Sequence, residues 1–178
     1  MRKISDHKRT YILFTALFFG AFIIRLAAVT LYPQTGSDSG KYLQLARSIR
    51  EQAMFSYSGD IPADSRAPLY PLFLAAVRSV SRSLDAVRVV QALLDSCACV
   101  VYCLIAFLIF RSLSLSACIG VLYALHPSLI GSTTFILSES LAVFLLALTL
   151  LFFVMAWRSG KSILFCAAGF FLGVSTLC

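Results

Sequence analysis

The sequence predicts an all-α fold: a polytopic membrane helix bundle with amphipathic interfacial helices in its first extracytoplasmic loop. Three observations carry that prediction. Hydrophobic residues make up 60% of the 178-residue chain and charged residues only 13%, against about 25% in an ordinary soluble domain. Apolar runs recur at lengths near the roughly 20 residues that cross a bilayer as a helix, and about five such runs fit. One polar stretch, from Pro33 to Pro71, interrupts these runs and holds eight of the 23 charged residues.

The formal net charge is +7, which raises nucleic acid as a partner. The basic residues, however, are scattered singly between apolar runs and form no cluster with interleaved aromatics, so no nucleic-acid surface is predicted. The six cysteines, Cys97, Cys99, Cys103, Cys118, Cys166 and Cys178, all fall in apolar segments and read as small hydrophobes. Cys99 and Cys103 share a helix face, but without a second spaced cluster they make a poor metal site.

The N-terminus carries Arg2, Lys3, Lys8 and Arg9 against Asp6 and runs into an apolar segment from Tyr11 to Tyr32. This segment is too long for a signal-peptide core, so it predicts an uncleaved first span with a cytoplasmic N-terminus. The loop over 33–85 is then extracytoplasmic. Within it, Tyr42, Leu45, Ala46 and Ile49 recur at helical spacing over 38–54, with Lys41, Gln44, Arg47, Ser48 and Glu51 on the other face, the pattern of a helix lying along the interface. Residues 55–64 are turn-rich, with Gly59, Asp60 and Pro62 as breakers. Leu69 to Val80 is apolar but too short to span, and predicts a second interfacial helix.

Further spans are predicted over 86–110, 113–130, 135–157 and 163–178. The last is still apolar at Cys178, so the chain reads as the N-terminal fragment of a longer transmembrane protein. Arg111 and the turn from Arg158 to Lys161 fall on the side of the N-terminus, as the positive-inside bias requires in a plasma (inner) membrane. Lys41, Arg47, Arg50, Arg66, Arg78, Arg82 and Arg88 run against that bias. Asp38, Glu51, Asp60, Asp64 and Asp85 accompany them, and the rule weakens for loops approaching about 60 residues.

An ionisable group within a span costs roughly 2.5–3.5 kcal/mol on insertion scales, so each needs a partner or a function. Arg25 and Asp95 lie at similar depths in the first and second spans, which predicts an interhelical ion pair. Arg88, Gln91 and Asp95 share one face and should look into the bundle, with Arg88 near the outer mouth as an interfacial anchor or a contact for lipid phosphate. Glu139 is expected about one turn inside the fourth span, near a favourable helix dipole, and His126 before Pro127 reads first as a cap. Asp38, between Ser37 and Ser39, also reads first as a cap. As a set, Asp38, Glu139, Arg66 and Arg88 nevertheless project to one side of the membrane. Carboxylates with arginines there suit an anionic lipid substrate and a proton-accepting step.

The order of these elements is similar to the N-terminal part of GT-C glycosyltransferases. It runs from Asp38, Tyr42 and Ala46 through Arg66-Ala67-Pro68-Leu69-Tyr70-Pro71 and Arg88-Val89-Val90-Gln91 to His126-Pro127 and Ser138-Glu139-Ser140. Within that superfamily it resembles the dolichyl-phosphate-mannose protein mannosyltransferase-like and aminoarabinose transferase-like group. The resemblance implies an inverting transfer of a sugar from a polyprenyl-phosphate donor to a lipid, protein or glycan acceptor outside the cytoplasm. It implies Asp38 as general base or acceptor-orienting carboxylate and Glu139 as a second acid. Arg66 and Arg88 would meet the donor phosphate, with Tyr42 and Tyr70 at the substrate. Two departures stand out: Ala67 replaces the first proline of the basic-Pro-Pro element, and Ser65 stands where relatives carry a metal-binding acid, with Asp64 one residue away. Metal dependence is thus left open. The competing readings are a transporter or flippase module in which Arg25, Asp95 and Glu139 line a polar path, and an inactive truncated fragment.

Overall fold

The computed structural model describes residues 2–58, 61–62 and 66–178. Among these residues eight helices follow one another: α1 (Arg2–Leu31), α2 (Ser37–Gln52), α3 (Leu69–Val80), α4 (Leu84–Phe110), α5 (Leu113–Ala124), α6 (Pro127–Thr134), α7 (Glu139–Ser159) and α8 (Ser162–Ser175). Between α2 and α3 two short antiparallel strands, β1 (Ser56–Ser58) and β2 (Ile61–Pro62), pair as a small hairpin. The chain is thus an all-α bundle with one small β-ribbon, which turn signals alone did not reveal.

Among the described residues three helices are long and apolar enough to cross a membrane: Lys8–Leu31, Leu84–Phe110 and Glu139–Ser159. A fourth crossing is available if α5 and α6 count as one span, broken by a 46° bend. The single helix expected over 113–130 therefore divides. Pro127 occupies the first turn of α6, where its missing N–H costs nothing but prevents continuation from α5. The span expected from Phe135 begins only at Glu139, because the backbone of 135–137 is engaged by side chains of other elements. The segment expected as a fifth span is the 14-residue α8, about 21 Å long at the helical rise and short of a hydrocarbon core of roughly 30 Å.

α4 is the central helix, packing on α1, α5 and α7, while α8 packs on α7. Its turn into α5 uses Arg111 in the left-handed region, φ 54°, and α7 ends the same way at Gly160, φ 68°. Arg158 donates to the Leu108 carbonyl and so ties these two ends together. The basic turns at Arg111 and at 158–161 share one end of the bundle; α2 and α3 lie at the other, where Leu69 N–H donates to Leu177 O at 2.9 Å.

α2 and α3 lie side by side in the same direction. Asp38 meets Arg66, Tyr42 meets Tyr70 and Arg50 meets Arg78, a constant offset of 28 residues. The apolar faces that periodicity assigned to the interface are used against protein: Tyr42, Ala46, Tyr70 and Leu74 join Val87, Ile136, Leu141 and Leu145 in one buried cluster. The loop is therefore welded to the bundle by its own core. Burying side chains of this size contributes roughly 1.5–3 kcal/mol each.

Candidate functional site

Where α2 starts, Gly36 and not Asp38 is the N-cap. Ser39 N–H donates to Gly36 O at 3.1 Å and Gly36 N–H to Ser39 Oγ at 3.2 Å. The Ser39 hydroxyl also donates to Ile136 O at 3.1 Å, which pins the first turn of α2 to the strand-like run before α7. Asp38 is thereby released from capping. It sits in the positive first turn of the helix, with its carboxylate turned to Arg66.

Arg66 Nη2 donates to Asp38 Oδ1 at 2.5 Å, with side-chain exposures of 24% and 42%. The same guanidinium lies 5.2 Å from the Tyr42 ring centre and reaches the Tyr42 hydroxyl at 3.5 Å. Desolvation lowers the Arg66 pKa, but the Tyr42 hydroxyl and then the Asp38 carboxylate raise it more, so the net direction is up. Arg66 is a fixed positive charge.

Beneath it, Tyr42 and Tyr70 meet edge to face at 4.9 Å and 83°, the preferred geometry for an aromatic pair. Tyr70 is fully buried and donates to Gln91 Oε1 at 3.2 Å. Gln91 in turn donates to Phe135 O at 3.1 Å and Leu137 O at 3.3 Å. Burial first, and then the nearby Glu139 carboxylate, push the Tyr70 phenol well up, so it stays protonated and acts as a donor. Glu139 itself is the first residue of α7 and exposed, not one turn inside the helix.

The fold thus brings Asp38, Arg66, Tyr42 and Tyr70 into one contacting group with Glu139 alongside. Arg88 stands apart. Its side chain is 6% exposed, and it donates to Thr134 O and Gln34 O, each at 3.0 Å, and to Asp85 at 2.7 Å. Its guanidinium is committed to holding the α1–α2 linker, the end of α6 and the first turn of α4 together, which fits an anchoring role better than phosphate contact. His126 is exposed at the break before α6 and makes no side-chain cap bond.

Sequence periodicity did not reveal the backbone run 135–137, whose carbonyls receive Ser39 and Gln91 and thereby set the height of the site. Phe135, Ile136 and Leu137 are all apolar and run on into the apolar residues of α7, so in the sequence they look like its first turn. Among the described residues no group of three His, Cys, Asp or Glu could hold a metal ion. Asp64 and Ser65, where the resemblance locates that question, lie outside the described residues, as do Gly59 and Asp60.

No known protein family, curated protein or solved structure matches the chain.

Proposed function

We propose that this chain belongs to a membrane glycosyltransferase that moves a sugar from a polyprenyl-phosphate donor to an extracytoplasmic acceptor. The observation that carries the reading is the pairing of Asp38 with Arg66. A carboxylate that stays 42% exposed, in the first turn of a helix and backed by a fixed cation, is placed to orient an acceptor nucleophile at the membrane surface. In the proposed reaction the acceptor attacks the anomeric carbon and its proton passes to Asp38. The bond from that carbon to the phosphate oxygen breaks, and the phosphate leaves with the electron pair. Arg66, with 24% of its side chain exposed, offers positive charge where negative charge develops. Tyr42 and Tyr70 hold the two groups in register, and Glu139 supplies a second acid at the same end of the bundle. The N-terminus is cytoplasmic in this reading, so the site opens on the far side.

The test is transfer itself. Membranes containing the full-length natural protein, given a radiolabelled polyprenyl-phosphate sugar, are expected to move label into a lipid, protein or glycan fraction. Label that stays on the donor across all three fractions contradicts the reading.

A second reading, a transporter module, draws on the broken α5–α6 span and the buried Arg25–Asp95 pair. Arg25 donates to the carbonyls of Ala124 and Tyr123 at that break, the kind of interrupted helix that lines polar paths in transporters. It predicts solute flux in proteoliposomes that is abolished by Asp95→Asn and indifferent to Asp38→Asn.

A further inference from the structure

The parallel arrangement of α2 and α3 puts both helix C-termini at one end of the pair, away from Asp38. There Arg47, Arg50, Arg78 and Arg82, with Glu51, line a cavity of about 280 Å³. In the sequence these arginines are scattered; the offset of 28 residues gathers them. We propose that this cavity binds a phosphate-bearing anion. The site is separate from the Asp38 cluster and does not depend on the transferase reading.

Charge makes the first case. Four guanidiniums face a single lining carboxylate, Glu51, which is already paired with Arg47 at 2.9 Å. Two helix C-termini contribute about half a negative charge each. Roughly two positive charges remain uncompensated, the complement of a phosphate monoester, whose charge at neutral pH is about −1.5 to −2.

Unsatisfied donors make the second. Arg78 Nε is buried and has no hydrogen-bond partner, a donor that a ligand oxygen would complete. Arg50 Nη1 reaches Arg78 O only at 3.4 Å, and Arg78 Nη2 reaches Arg82 O only at 3.5 Å. These long contacts to backbone carbonyls leave both guanidiniums unsaturated. Residue type makes the third: all four cations are arginine, whose planar fork matches phosphate oxygens two at a time, whereas lysine would supply point charge alone. Capping of the two C-termini accounts for Arg50 and Arg78 in the last turns, and the pair with Glu51 for Arg47, but neither accounts for Arg82.

The phosphate can come from a lipid headgroup or from solution, and one experiment separates the two. The full-length protein in a neutral detergent is melted against short-chain phosphatidic acid, phosphatidylcholine of the same chain length, and inorganic phosphate at constant ionic strength. Phosphatidic acid is expected to raise the Tm while phosphatidylcholine does not. If inorganic phosphate raises it equally, the ligand is the free ion; if it does not, the ligand is the headgroup. Arg50→Gln/Arg82→Gln should raise the half-saturating concentration at least about tenfold, since lost hydrogen bonds to a charged group are worth that factor each. Both positions are exposed, so the unliganded Tm should hold, and Arg47→Gln serves as an independent second variant. Asp38→Asn should bind phosphate as the parent does. The proposal is overturned if neither phosphate form stabilises the parent beyond its control, or if both arginine variants respond as the parent does.

Discussion

Arg25 on α1 and Asp95 on α4 form an ion pair in which both side chains are fully buried. Tyr123 Oη donates to the other Asp95 oxygen at 2.8 Å, and Arg25 Nη1 donates to Ala21 O and Ala124 O, each at 3.2 Å. The pair therefore joins three helices and covers the carbonyls freed where α5 breaks. Removing one partner leaves the other charge without compensation in an apolar interior, whereas removing both does not. Arg25→Met or Asp95→Leu alone should cost about 3–5 kcal/mol, and the double variant should recover most of the loss. Thermal unfolding of the four proteins in detergent checks this. Single variants no less stable than the double would contradict it.

Tyr70 links the site to the bundle through Gln91. Tyr70→Phe keeps the ring but strips Gln91 Oε1 of its donor, at about 1–3 kcal/mol. The same residue gives a pH dependence. Its folded pKa lies above the ordinary value, so the native state keeps a proton that the unfolded chain releases above about pH 10. Stability from this group is complete below about pH 10 and falls as pH rises beyond it. Denaturation of parent and Tyr70→Phe between about pH 8 and 11 should show the steeper decline in the parent.

Gly120 lets α5 approach α1 closely. A Cβ there would stand 2.5 Å from Leu17 Cδ1 and 3.4 Å from Leu17 Cγ, so the leucine must leave its rotamer or the helices must separate. Gly120→Ala should destabilise by about 1–3 kcal/mol, and Leu17→Ala in the same chain should return part of it. Equal melting temperatures for parent and Gly120→Ala would show that Leu17 yields freely.

Length and apolarity made α1, α4 and α7 legible, since a span must be about 20 residues whatever it packs against. Leu69 and Val80 bound α3 in the sequence and in the fold, because Pro68 and the polar run after Val80 act locally. Depth counting found Arg25 opposite Asp95 for the same reason: helical rise is fixed. The register of α2 on α3 was not legible. Periodicity shows which face of each helix is apolar, but it carries no information on which helix that face meets. Asp38 and Arg66 were each visible as candidates, and their contact was not. Arg88 read as an interfacial anchor or a phosphate contact near the outer mouth because two of its three partners, Thr134 O and Gln34 O, are backbone carbonyls, which every sequence has and no sequence displays.

The most direct test of the account is the rate of sugar transfer from a polyprenyl-phosphate donor by the full-length protein carrying Asp38→Asn. The substitution keeps the size of the side chain and its acceptor oxygen for Arg66, while removing the charge that would take or hold the acceptor proton. Transfer should fall by about 10²–10⁴, the usual contribution of a general base, with the melting temperature and the phosphate response of the arginine cavity retained. Transfer at the parental rate by a folded Asp38→Asn protein would contradict the assignment of this site.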